Sequence, residues 1–311
     1  MKFWLLFLLL PTVAIAIAPL HPDAPSYDGL HNIDVDDYTS TRLIHPSICK
    51  GLSSQGCDTW EDEMQNNARL LRELMLTTNF LKPLVLLIRF TDHVNRVLPA
   101  REDYIKLFNG VGISDATPTG SISEWVALNS YNQIKIEAEV VDWIMTNNTE
   151  LHFALDSFGV PVSGLTQDFR FAMYPVLDQL YANNFDFSAV DHNNDGLIDN
   201  IIIVHSGYPA EIGGNDCETG ATGTERIWAH TVAFQTDQWT APDGSIQANG
   251  YSVSSGLRGL CDGGLARIGV TTHELMHTFG KYCRRRSDAS RNNHRMCCLI
   301  QTVLLSNRRL T

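Results

Sequence analysis

After residue 18 the chain has no apolar run long enough to cross a bilayer, and it is short of basic charge. A membrane helix needs about 20 consecutive apolar residues, so the sequence predicts no membrane span. Lys and Arg number 23 against 35 Asp and Glu, a net charge of −12 over 311 residues. That balance argues against a nucleic-acid partner, which needs a basic face. No internal repeat occurs, which excludes a solenoid or propeller. The Gly-rich stretch GGNDCETGATGTE lacks the strand–turn–helix setting of a phosphate-binding loop and reads as a plain loop. After Gly280 both Gly and Pro vanish: KYCRRRSDASRNNHRMCCLIQTVLLSNRRLT has eight Lys or Arg and a single acid, Asp288.

What is there begins with MKFWLLFLLLPTVAIAIAP, one Lys before an apolar run with small-x-small sites up to Ala18. This reads as a secretory signal peptide over residues 1–18, and the expected location is extracellular. The run is short and broken by Pro11, which sets it apart from a membrane anchor. Residues 19–79 are rich at first in Pro, Asp and Ser and read as an N-terminal segment, a candidate pro-region. Export makes the seven cysteines candidates for disulfides. Cys49 with Cys57 and Cys217 with Cys261 are candidate pairs; Cys283, Cys297 and Cys298 fall in the last stretch, and an odd total leaves one thiol over. Asn147-Asn148-Thr149 is a glycosylation sequon.

Periodicity gives the outline. KPLVLLIRF is a continuous apolar run, a buried strand over 83–90. Ser121 with Glu124 marks a capping-box helix start in SISEWVALNS. In NQIKIEAEVVDWI, Ile134, Ile136, Ala138 and Val140 alternate with Lys135, Glu137 and Glu139, a half-buried strand. LTQDFRFAMYPVLDQLYANN is an amphipathic helix containing Pro175. Ile201–His205, IWAHTVAF and YSVSS are further strands, and LARIGVTTHELMHTF is the last helix, ended by Gly280. Helices do not follow every strand, so the expected class is α+β with a mixed twisted sheet.

The last helix carries H-E-x-x-H: His273, Glu274 and His277. Residues four apart stand one turn above each other, so two imidazoles can face one metal ion. Glu274, turned about 100° from His273, can reach a zinc-bound water as general base; zinc acidifies that water and polarises a carbonyl. A helix bearing two His by chance is the alternative, but Gly256, Gly259, Gly263 and Gly264 in the approach and Thr271 and Thr272 in the helix are not a surface helix built for stability.

HELMHTFG resembles the zinc helix of secreted metallopeptidases of the immune inhibitor A type, which have the zincin fold. KPLVLLIRFTD, ISEWVALNSYNQIKIEAEVVDWI, FDFSAVDHNNDGLIDNIIIVHSG and IWAH are similar to that family's segments in the same order, covering roughly residues 80–280. The resemblance implies a metallopeptidase-like domain over 80–280, a secreted Zn2+-dependent endopeptidase, and protein or peptide substrates. It assigns His273 and His277 as zinc ligands and Glu274 as catalytic base. Where the family has Asp or His three residues after the Gly, this chain has Cys283. Residues 281–311 lack the family's continuation and form an atypical basic tail. Three readings stay open: the tail is foreign to the fold, Cys283 is the third zinc ligand, or Asp288 or His294 supplies it. If the zinc site is incomplete, the chain is an inactive, truncated peptidase-like protein.

Asp191, Asn193, Asp195, Gly196 and Asp199 read D-x-N-x-D-G-x-x-D, the first nine positions of a calcium loop, with Ile202 at the twelfth in place of Glu. The two readings are Ca2+ held by Asp191, Asn193, Asp195 and Asp199, and an Asx-type turn closed by its own side chains. His205 and His230 end or open strands; each either lines a cleft or is hydrogen-bonded beneath a loop.

Overall fold

A computed structural model describes residues 79–130, 132–154, 169–234, 238–261 and 263–278. The leader, the 19–78 segment, Cys49, Cys57, Gly280, Cys283, Asp288, His294 and the basic tail lie outside them. The elements are β1 (Phe80–Leu81), β2 (Leu84–Arg89), α1 (Arg101–Asn109), α2 (Ile122–Asn129), β3 (Lys135–Ile136), β4 (Glu139–Val140), β5 (Ile144–Met145), α3 (Glu150–Ala154), α4 (Arg170–Ala182), β6 (Ile201–His205), β7 (His230–Ala233), β8 (Trp239–Thr240), β9 (Gln247–Ala248), β10 (Gly250–Ser255) and α5 (Ile268–Thr278).

The main sheet runs β4-β2-β6-β10-β7, with β5 also on β2. All pairings are parallel except β10 with β7. A parallel strand flanked on both sides and covered on both faces has no wet face, which is why LVLLIR and IIIVH are continuous apolar runs. Successive side chains in each run still point to opposite faces. Leu84, Leu86, Ile88, Ile201 and Ile203 pack with α3 and α4 through Phe153, Met173, Val176 and Leu177. Val85, Leu87, Ile202 and Val204 pack with α1, α2 and α5 through Tyr104, Phe108, Ile122, Val126 and Leu275. The molecule is thus a mixed sheet between two helical layers, the general class the sequence predicts.

Details follow the local signals. The capping box closes α2: Glu124 N–H donates to Ser121 Oγ at 3.1 Å and Ser121 N–H to Glu124 Oε2 at 3.0 Å. α4 carries Pro175 within its span. The single strand expected over 134–144 is three short ones, because β3 pairs β1 while β4 and β5 take different stretches of β2. Its alternation survives, with Ile136, Ala138 and Val140 buried and Lys135 and Glu137 exposed. Cys217 and Cys261 form a disulfide, which ties the Gly-rich loop to the approach to α5. Among the described residues no helix is long and apolar enough to cross a membrane.

Candidate metal centre

α5 lies against β10 and β7. Ser254 Oγ stands 2.9 Å from Thr271 Oγ1 at the β10 contact, and Leu275 drives the helix into the core. This docking turns His273, Glu274 and His277 to one side. His273 Nε2 and His277 Nε2 stand 3.2 Å apart, with ring planes at 88°. Two nitrogens each about 2.05 Å from a tetrahedral zinc ion would be about 3.3 Å apart, so the pair fits one ion. Burial holds the His273 imidazole below its ordinary pKa and favours the neutral, ligating form.

Glu274 Oε1 is 3.9 Å from His273 Nε2. Burial pushes its carboxyl up to about 8, and Glu211 nearby adds to the shift. Thr231 on β7 places Oγ1 2.9 Å from the Glu274 carbonyl oxygen and 3.0 Å from Oε2. Its hydroxyl proton serves one of them at a time, and the side chain fixes the edge strand to the helix.

Glu211 sits on a 3-10 turn, Ala210–Ile212. It is buried, with the backbone N–H groups of Glu211 itself and Ala229 as the nearest donors to its carboxyl. That turn is held by Arg226, which is fully buried. The guanidinium donates to the carbonyls of Pro209, Gly213, Gly214 and Thr222 at 2.6–3.2 Å. Neither Glu211 nor Thr231 was visible as a site residue in the sequence, since nothing in their own neighbourhoods marks them.

A second group of buried polar residues lies apart from α5. His93, Glu150 and Asp216 each bring one ligand atom within 4.8 Å of the others. Arg96 pairs with Asp216 and Glu218, donates to the Ser206 carbonyl at 3.0 Å and lies over the Tyr208 ring. Sequence reasoning missed this group too. The only local signal is the polar triplet TDH directly after an apolar strand.

In the Asp-rich loop, Asp191 accepts the N–H groups of Asp195 and Gly196 at 3.1 and 3.0 Å. Asp199 accepts those of His192 and Lys82, both at 3.1 Å. Asn193 donates to Asp195 Oδ2 at 2.7 Å. Gly196 has φ +81°, which a residue with a side chain adopts poorly. The loop therefore closes on itself through side-chain to backbone bonds. The Asp191, Asp195 and Asp199 carboxylates are not among the described groups whose ligand atoms all meet within 4.8 Å.

His205 is fully buried and accepts the Gly207 N–H at Nδ1, 3.1 Å. His230 is half-buried, its Nδ1 2.7 Å from the Trp228 carbonyl and its Nε2 3.1 Å from the Tyr251 hydroxyl. His205 Nε2 is buried without a hydrogen-bond partner. Cys283 lies outside the described residues; on α5 the described group that could hold a metal ion is His273, Glu274 and His277. Compared with models of protein families and with curated proteins, the sequence matches none.

Proposed function

We propose that the chain is a secreted zinc endopeptidase of the immune inhibitor A type, with a zincin-like fold, that hydrolyses peptide bonds in proteins. The observation that carries this reading is the pair of imidazole nitrogens 3.2 Å apart on α5 with a buried carboxyl beside them. His273 and His277 would hold the ion, which supplies Lewis acidity and an acidified water when bound. Glu274 would take a proton at its carboxyl and return it to the leaving group. An extended peptide substrate would pair with β7, which has a neighbour on one side only among the described strands, in the β-addition mode of recognition. Thr231 holds that strand against the helix bearing the base.

The test is digestion of an unfolded protein by the zinc-loaded full chain, with and without a chelator. Glu274→Gln should keep zinc and lower kcat by at least about 100-fold, as loss of a general base does. Turnover that survives either the chelator or Glu274→Gln refutes the mechanism. A second reading, a peptidase-like protein without turnover, rests on the count of two described imidazoles facing the ion, with Cys283 at the next step of the motif. A folded, zinc-loaded wild type that digests nothing would favour it.

A further inference from the structure

We propose that His93, Glu150 and Asp216 form a second, internal site for a divalent cation of the zinc class. It is separate from the His273–His277 pair and independent of the peptidase reading. The three come from the turn after β2, the start of α3 and the loop after β6. Each is buried, at 1 %, 2 % and 1 % exposure.

Two orphaned atoms carry the inference. His93 Nε2 and Glu150 Oε2 have no hydrogen-bond partner, and they face each other at 3.5 Å. That gap is wider than the usual N–H···O range of about 2.7–3.2 Å. It is too narrow for a bridging water, whose two partners stand roughly 4.5 Å apart when each bond is of normal length. It does match two donors on one tetrahedral first-row ion, about 3.3–3.5 Å apart. Buried polar atoms left unsatisfied are costly, and one ion satisfies both.

The surroundings are those of a ligand set held in place from behind. Ser206 Oγ, 2.9 Å from His93 Nδ1, also accepts the Phe90 N–H at 3.1 Å. It has the second lone pair needed to take a proton from Nδ1 and leave Nε2 for the ion, while Arg96 Nη1, 3.4 Å from the same Nδ1, serves the Ser206 carbonyl at 3.0 Å. Glu150 Oε1 accepts the Ile227 N–H at 3.1 Å, which aims Oε2 inward. Gly207 makes room, because a Cβ there would overlap the Glu150 carboxylate. Asp216 takes the N–H groups of Glu218 and Thr219 on Oδ1 and faces Arg96 with Oδ2, an outer partner that fixes its orientation.

Glu150 and Asp216 are buried with Arg96, Asp92 and Glu218 add partly exposed carboxylates, and Arg89 donates to the His93 carbonyl. One imidazole with carboxylates selects zinc-like ions over calcium or magnesium, which take oxygen ligands. Closed from solvent, the site would be structural, tying three loops together under the sheet.

The full-length chain carrying His273→Ala and His277→Ala should retain one equivalent of Zn2+ after dialysis, read by metal analysis. Adding Glu150→Gln should weaken the remaining binding by more than about 100-fold, beyond what an outer-shell change produces. Circular dichroism reports whether that variant folds. If it does not, Ser206→Ala should weaken the retained zinc about 10-fold through the orienting bond alone. A double His variant that holds no zinc overturns the site. So does retained zinc indifferent to these substitutions, which would belong to other donors such as the tail cysteines. Loss of only the His273–His277 equivalent leaves this site standing, and loss of only the Glu150-sensitive one leaves the α5 site standing.

Discussion

Glu211 is a buried carboxyl whose nearest donors are its own backbone N–H and that of Ala229. Burial pushes its pKa up to about 7, from an ordinary value of 4.5. Between those two values the folded chain binds more protons than the unfolded one, so stability falls as pH rises through that window. The cost is absent below about pH 4.5 and complete above about pH 7. Glu211→Gln should flatten the fall, so that the wild type loses stability relative to the variant from pH 5 to pH 8. Parallel curves in urea denaturation would mean the carboxyl is not the cause. Glu211 also shows what a linear reading reaches at this scale. His273, Glu274 and His277 are legible because a helix repeats every 3.6 residues and stacks positions four apart. Thr231 touches Glu274 from 43 residues away, and His93 meets Ser206 from 113. Such encounters are made by sheet register, which no local pattern encodes.

The Asp-rich loop, closed by its own side chains, is also a candidate ion site. Its carboxylates already close the turn, yet each oxygen they present keeps a further lone pair for a cation. We propose calcium as its ligand, as the D-x-N-x-D-G spacing implies. The melting temperature should then rise with calcium, by several degrees at 100 times the dissociation constant, and Asp195→Ala should abolish the rise. A melting temperature indifferent to calcium leaves the turn alone. Elements with a strong signal in their own sequence are legible: the Ser121–Glu124 box, LVLLIR, IIIVH, YSVSS and the last helix, which begins at Ile268 rather than Leu265. The 134–144 strand was read as one piece because alternation records which face is buried and not which neighbour is paired. Its three fragments serve two sheets.

Across the whole molecule, the Cys217–Cys261 bridge closes a loop of 44 residues in sequence. On the chain-entropy account a loop of that length restrains the unfolded state by about 4 kcal/mol. Changing both to Ser should lower stability by about 2–4 kcal/mol in urea; a loss under about 0.5 kcal/mol would show that the loop's other bonds suffice. The bridge holds the Arg226 loop beside the approach to α5, so its loss should also loosen the edge strand. The parallel pairing of β2 with β6 reaches further still, from Leu84 to Ile201. On a ribosome adding about 5–20 residues each second, β2 emerges on the order of ten seconds before its main partner exists. During that interval β4 and β5 can cover only one edge of β2, and the other stays open to pairing with any exposed strand.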